Sequence, residues 1–508
     1  MSQNMIKCIV YTVAYNAEKT IGRTVESVLT QTEQSWILYI IDNGSTDRTW
    51  EIVEQYAATD SRIVLLKNKM NNVSEPGNTH LEIIEKLDDN DYFCVLDSDD
   101  TYEPNFLEKT LQFAIKNRLD IAACGTQMYS QETDRPLANS YAIPNDLLIT
   151  SKDSFSKHFK AYTQFAWTWW AKLFSVSIIR KCAFENSHKV SYCADTLFGY
   201  ETFGYAKRIG ILGGTLHRYY IQNKSAINTY DAKRVISDQI ACDAGLTYLG
   251  VKKIATPENR ALVLSVYANA IKNSIGLVIN APVDQNTKLR DLRDIFDHPH
   301  AQAILHKRYV SAEFVEALQK TAQTYIASHC QTPDEDGMLY AIDAYAAMKN
   351  IYVMPDWTKA QVFCFVTELH LKCANGKKDV ALLESKIKSL ISDFPILAHM
   401  TVQDATFLRD IICCVLDNDL PCALEKSIAL IETNSVSEIH AESYIILSQN
   451  LCAANDYGDG WIFFKKLWID QLIQQSRLDE ARVELDELTS IIPDDEELQE
   501  FSKSLSQM

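Results

Sequence analysis

The chain has 508 residues, 47% of them hydrophobic and 23% charged, with a formal net charge of -18. At roughly 100–200 residues per domain this length allows two to four domains with real cores, and the composition excludes disordered and collagen-like classes. So acidic a balance excludes a nucleic-acid or anionic-membrane binder, whose partners require clustered Lys and Arg.

The first residues lack the basic start, apolar middle and small-residue cleavage site of a secretory signal. No run reaches the roughly 18 apolar residues of a membrane span, so a cytoplasmic protein without direct membrane insertion is expected. The 13 cysteines are dispersed and form no CxxC pair. They read as reduced core thiols rather than as disulfides or zinc ligands.

Along the chain, β-rich runs at 6–13, 36–41, 62–66, 92–96 and 120–123 alternate with helical patterns. Ile21, Val25, Val28 and Leu29 form one such pattern, and Trp50, Val53 and Ala57 the next. Strand–helix–strand alternation predicts an α/β domain with a mostly parallel sheet. From about residue 230 the strand signals stop and the pattern becomes helical, with 331–337 (QTPDEDG) as a linker. The expected division is therefore an α/β domain over 1–230, a helical extension over 231–335 and a helical-hairpin domain over 336–508. Near the end, Ala481, Leu485, Leu488 and Pro493 resemble the second helix of a tetratricopeptide repeat, although Lys465 and Ile469 fit its first helix poorly.

In open α/β sheets ligands bind beyond the carboxyl ends of the strands. The second strand runs into Asp42-Asn43-Gly44-Ser45-Thr46-Asp47 and the fourth into Asp97-Ser98-Asp99-Asp100. The first segment reads equally well as an Asn-Gly turn with a helix cap. The second places three carboxylates in four residues, which a divalent cation explains better than solvation does. No GxxxxGK[ST] and no GxGxxG follows the first strand, so a diphosphate would depend on a metal bridging its oxygens.

The ordered set Tyr15-Asn16, DNGSTD and VLDSDD resembles family 2 glycosyltransferases of the GT-A fold. The likeness continues through Trp167-Thr168-Trp169-Trp170-Ala171-Lys172-Leu173, Ala194-Asp195, and His217-Arg218-Tyr219-Tyr220 with Ser225. By that resemblance Asp42 would contact the uracil of a UDP-sugar, with Tyr15 near the base. Asp97 would hold the ribose or metal, Asp99 would hold Mn2+ or Mg2+, and Asp195 would be the catalytic base. Ser98, Asn78, Lys172 and Arg218 would complete the donor site. His217 is open to a role as a third metal ligand or a diphosphate ligand, or to a structural one, and Arg218 carries the same alternatives. Trp169 and Trp170 are open to an acceptor platform or to core packing. Gly77 stands where the family commonly has an arginine, and Ala194 where it has a glutamate, which makes Glu201 a substitute base near the acceptor.

The function this implies is inverting transfer of a hexose or N-acetylhexosamine from a UDP-sugar to a hydroxyl. The preferred acceptor is a protein or peptide such as flagellin, recognised by the helical region, which could also support a homodimer. A polysaccharide or lipid-linked oligosaccharide acceptor is the first alternative. An inactive GT-A scaffold with a protein-binding helical module is the second.

Overall fold

The computed structural model describes residues 6–68, 82–184, 189–221, 229–305, 309–329, 335–349, 355–375, 380–392, 404–416 and 458–507, with scattered positions from 419 to 453. Asn78, Gly77, Ser225 and the 331–334 part of the expected linker lie outside the described residues. The chain divides into two compact units, Met1–Ala281 and Pro282–Met508.

The described part of the first unit is built on a sheet of ten strands, with the spatial order β3-β2-β1-β4-β9-β6-β10-β5. In chain order these are β1 (Cys8–Ala14), β2 (Trp36–Asp42), β3 (Ile63–Lys67), β4 (Tyr92–Val95), β5 (Thr101–Tyr102), β6 (Ile121–Ser130), β7 (Pro136–Tyr141), β8 (Leu147–Ile149), β9 (Lys172–Ser175) and β10 (Ile209–Ile221). Strands β1, β2, β3, β4, β6 and β10 point one way, and the others run against them. The expected mostly parallel α/β sheet followed by helices is therefore observed.

Strand β1 is apolar throughout except for Thr12, and it is buried between β2 and β4, as a central parallel strand must be. Helices α1 (Ile21–Leu29) and α2 (Thr49–Thr59) supply the crossovers, and Ile21, Val25, Val28 and Val53 are buried on their inner faces. Helix α3 (Phe106–Asn117) joins β5 to β6, burying Phe106, Leu107, Leu111 and Ala114. Because the order 3-2-1-4 reverses at β1, the crevice that admits ligands opens at the carboxyl ends of β1 and β4. Those ends are Ala14, leading into Tyr15-Asn16, and Val95, leading into Asp97-Ser98-Asp99-Asp100.

Strand signals do stop near residue 230, yet the compact unit does not end there. Three helices close one side of it: α4 (Ala194–Tyr205), α5 (Arg234–Val251) and α6 (Pro257–Asn280). Tyr248 of α5 bonds hydroxyl to hydroxyl with Tyr162 at 2.7 Å, and a Cβ on Gly245 would lie 2.9 Å from Val263 and 3.2 Å from the Tyr200 hydroxyl. This close packing makes α5 and α6 part of the first core. Helix α6 also departs from the sequence expectation in being long and apolar enough to cross a membrane. Its buried stripe of Val263, Leu264, Ile271, Ile275 and Val278 reads as a core helix of this unit.

The described residues of Pro282–Met508 form helices and no strands. Gly458–Gln474 and Leu478–Ile491 pack as a hairpin around Trp468, Ile469, Leu472, Ala481, Leu485 and Leu488. Lys465, the misfit in the repeat pattern, pairs with Glu484 and with Glu487 at 2.8 Å.

Candidate functional site

The turn after β4 is closed by the Asp100 amide donating to the Asp97 carbonyl at 3.1 Å, with Ser98 and Asp99 at its tip. Asp97, Ser98 and Asp99 are half-buried, whereas Asp100 is fully buried. Asp100 is committed to the fold: its Oδ1 accepts the Tyr220 amide at 2.8 Å, and its carbonyl accepts the Thr24 hydroxyl at 2.8 Å. Burial pushes the Asp97 carboxyl well above the carboxylate range, and the charges of Asp100, Asp99 and Asp195 push the same way. Asp100 is raised by burial and by Asp99.

This donor set fits a hard divalent cation. Crowded carboxylates that resist ionisation are relieved by positive charge, and all-oxygen ligation suits Mg2+ or Mn2+. Asp97 and Asp99, the two reachable carboxylates, would hold it. Among the described residues no three His, Cys, Asp or Glu side chains are grouped to enclose an ion. A cation here would complete its shell with diphosphate oxygens and water.

His217 offers an Nδ1 fixed by Thr126 and an Nε2 without a hydrogen-bond partner, an arrangement that serves either of its two readings. Its imidazole is fully buried, 5.0 Å from Trp170 in a stacked contact and 5.7 Å from Tyr102. Nδ1 meets the Thr126 hydroxyl at 3.2 Å, and Nε2 lies 3.5 Å from Asp100 Oδ2 without hydrogen-bond geometry. Burial, with Lys172 adding to it, pulls the imidazole down to about 3, so the ring is neutral.

Arg218, its neighbour on β10, is held by Glu103 through Nε at 2.6 Å and Nη2 at 3.1 Å. A guanidinium engaged on both edges by a carboxylate is not poised for a diphosphate, so the expected donor contact is replaced by a structural ion pair.

At the end of β2, Asp42 is fully buried. Its Oδ1 accepts the Ser45 amide at 3.2 Å, while Oδ2 makes no hydrogen bond and lies 4.0 Å from the Lys67 ammonium. An orphaned buried carboxylate oxygen at the ligand edge of the sheet suits a base-edge N–H, the role the resemblance implies. The rest of DNGSTD is scaffold. Asn16, in the left-handed region at φ 48°, donates its amide to Ser45 Oγ at 3.0 Å and accepts the Thr46 amide at 2.9 Å. Asp47 takes the Glu18 amide at 3.0 Å. Tyr15 is 45% exposed beside this loop, free to lie against a base.

The WTWWAKL segment turns through Ala171 at φ 57° into β9. Lys172 is buried, and its ammonium donates to the Thr168 hydroxyl at 2.9 Å and the Trp170 carbonyl at 2.7 Å. Burial lowers it to about 7, against the pull of Cys124 and Asp195. It thus braces the turn that carries the tryptophans. Trp169 donates its Nε1 to Asp97 Oδ1 at 3.2 Å, and Trp167 donates to the Tyr200 hydroxyl at 3.0 Å.

Asp195 sits in the first turn of α4, whose Gly199 approaches so closely that a Cβ there would collide with the Ala166 carbonyl. Its carboxyl is pushed up to about 6 by burial, against the Thr196 amide at 2.9 Å and the Lys172 charge. Glu201, the substitute base, lies six residues on and so about 120° round the helix. It accepts the Ala183 amide at 2.6 Å and the Phe184 amide at 3.1 Å, a backbone-capping role.

Three participants were not singled out in the sequence. Arg23 of α1 donates Nε to the Asp99 carbonyl at 3.2 Å, with its guanidinium 3.5 Å from the Tyr220 ring centroid. Tyr219, tilted against Trp170 at 5.6 Å between ring centroids, has its hydroxyl raised by burial and by the charges of Asp100, Asp97, Asp99 and Asp195. Glu103 is the partner of Arg218.

Residues 9–193 match the family model of glycosyl transferase family 2. Among curated relatives, the uncharacterized glycosyltransferase EpsJ of Bacillus subtilis (strain 168) is 24% identical over 227 residues, which is 44% of this chain and 64% of that protein. Chondroitin synthase of Escherichia coli is 30% identical over 166 residues, 31% of this chain and 23% of that protein. The chain therefore spans less than two thirds of the length of these relatives. Among solved structures, S. aureus TarS 1-349 in complex with UDP-GlcNAc is similar at a TM-score of 0.39 and 15% identity, covering 76% of this chain and 92% of that one.

Proposed function

We propose that this chain, whose residues 9–193 form a glycosyl transferase family 2 domain, transfers a sugar from a UDP-sugar to a hydroxyl of a growing polysaccharide, with inversion and with Asp195 as general base. The observation that carries the reading is the pairing of Asp195 with the Asp97 turn. One tryptophan segment joins them: Trp169 donates to Asp97 at 3.2 Å, and Thr196, next to Asp195, donates its hydroxyl to the Trp167 carbonyl at 2.9 Å. The Asp195 charge helps to raise Asp97, and burial pushes Asp195 up to about 6. Pairs of acids with separate environments mark division of labour between base and ligand.

In the reaction the acceptor hydroxyl gives its proton to Asp195, its oxygen bonds to the anomeric carbon, and the carbon–phosphate oxygen bond breaks with its electron pair leaving on the diphosphate. Asp97 and Asp99 would hold a divalent cation, which would supply charge neutralisation for that diphosphate. Asp42 and Tyr15 hold the base, and Trp169 and Lys172 keep the Asp97 carboxylate and its turn in place. The name of the chondroitin synthase relative favours a polysaccharide over a protein or flagellin acceptor.

The test is a nucleotide-sugar panel scored for UDP release with and without Mn2+, followed by oligosaccharide and peptide acceptors. Metal-stimulated release with transfer to oligosaccharides supports the reading. Transfer confined to peptides moves the acceptor to protein, and no release with any donor leaves the scaffold alternative.

A further inference from the structure

The helix that carries Asp195 is entered through Tyr192-Cys193, and what holds that entry comes from beyond the family match. Cys193 lies in the left-handed region at φ 67°, which a residue with a Cβ keeps only where its surroundings impose it. One side of the first turn is tied to the sheet unit by Thr196 Oγ1 donating to the Trp167 carbonyl at 2.9 Å. The other side faces α5. There the Arg234 guanidinium, buried at 3% exposure, lies 4.0 Å from the Tyr192 ring centroid, and the Ser191 amide donates to Ser237 Oγ at 3.1 Å.

Arg234 is itself held. Its Nε donates to Ser274 Oγ of α6 at 2.9 Å, and the Ser274 hydroxyl donates to Asp238 Oδ2. Asp238 and Ser274 are buried as well, so the chain Arg234–Ser274–Asp238 is a polar network inside an apolar helix pair. Such a network is costly unless every member is satisfied. Its reach extends to the site, since burial and Asp195 raise the Cys193 thiol while Arg234 opposes them.

Resting on the reading of Asp195 as base, we infer that Arg234 is a positioning residue for that base, fixing the Tyr192-Cys193 entry from a helix outside the family domain. The titratable groups that interact with Asp195 are Lys172, Asp97, Cys193 and Tyr219. Displacing the entry lets more water reach the half-buried carboxylate, so its position and its acidity change together.

The test compares wild type, Arg234→Met and the double variant Arg234→Met/Asp238→Asn, which strands no buried charge and keeps a folded protein available. Turnover with UDP-sugar is measured against pH, together with donor affinity and amide exchange of residues 191–198. The expected result for both variants is a kcat lowered about ten- to a hundredfold with donor affinity held within a few-fold. The acid limb of the profile should shift from about 6 towards the ordinary carboxylate value of about 4, with faster exchange at 191–198. A folded double variant with unchanged exchange, kcat and acid limb overturns the inference. Exchange needs no turnover: if it rises while wild type transfers no sugar, the hold on the entry stands and the reading of Asp195 as base falls.

Discussion

Trp169 donates its indole N–H to the Asp97 carboxylate at 3.2 Å, so the residue expected as an acceptor platform is bonded to the donor end of the site. The bond opposes the burial and like charges that raise Asp97. It favours the ionised form that a cation requires.

Trp169→Phe keeps the ring and removes the donor. A hydrogen bond to a charged group contributes about 1.5–3 kcal/mol, so metal-dependent affinity for UDP should weaken about ten- to a hundredfold. Calorimetry with UDP and Mn2+ measures this, and affinity unchanged by the substitution would remove Trp169 from the donor site.

The parallel half of the sheet was legible because β1, β2 and β4 are buried apolar runs ending in turn residues. Strands β5, β7 and β9 were not: β5 is two residues long, β7 is exposed throughout, and β9 hides inside a segment read as a motif. The acidic clusters announced their place through strand ends alone. His217 and Arg218 were given similar roles, yet adjacent strand residues face opposite sides, which separates the buried His217 from an Arg218 side chain 37% exposed. Arg23 reads as an ordinary solvated helix charge, since nothing local in sequence ties residue 23 to residue 99. The change to helical pattern near 230 resembles a boundary because periodicity shows that a face is apolar, not which core receives it.

Lys172→Met tests the brace beneath the tryptophans. Burial puts the folded ammonium near 7, below its unfolded value of about 10.4. Stability linked to this group is therefore fully present above the unfolded value and falls as pH drops towards 7. The Tm of Lys172→Met relative to wild type should accordingly fall as pH rises from 7 to 10 and be flat below 7. The loosened turn should also raise the donor KM. A pH-independent Tm difference would mean that burial does not lower the lysine's pKa, so that it stays an ammonium up to its unfolded value.

Arg218→Gln should change little in donor binding, because the guanidinium is spent on Glu103. A partly exposed pair of this kind contributes about 0–1 kcal/mol, so Tm should drop slightly and UDP affinity stay within about threefold. A loss beyond tenfold in UDP affinity would restore the diphosphate role that the resemblance implies.

The sharpest test is Asp195→Asn, because its two roles oppose each other in stability as well as in rate. As an acidic residue in the first turn of α4, Asp195 would stabilise the helix dipole, and its loss would lower Tm. As a half-buried base with a raised carboxyl it does the reverse. A folded value of about 6 against about 3.9 unfolded means that ionisation costs stability as pH rises from 4 to 6. Asn carries no such cost, so the variant should match wild type near pH 4 and exceed its Tm at pH 7. Each kcal/mol regained is worth roughly 2–4 °C in a unit of this size. Sugar transfer should fall about 10²–10⁴-fold while UDP-sugar affinity is kept. In wild type, kcat/KM should climb with pH through about 6 and level off above it, since only the ionised carboxylate takes the acceptor proton. Scanning calorimetry at pH 4 and 7 and pH-resolved transfer on the same preparations measure all of this. A variant that melts lower at pH 7 and transfers within a few-fold of wild type would return Asp195 to the helix start and leave the base to be found elsewhere.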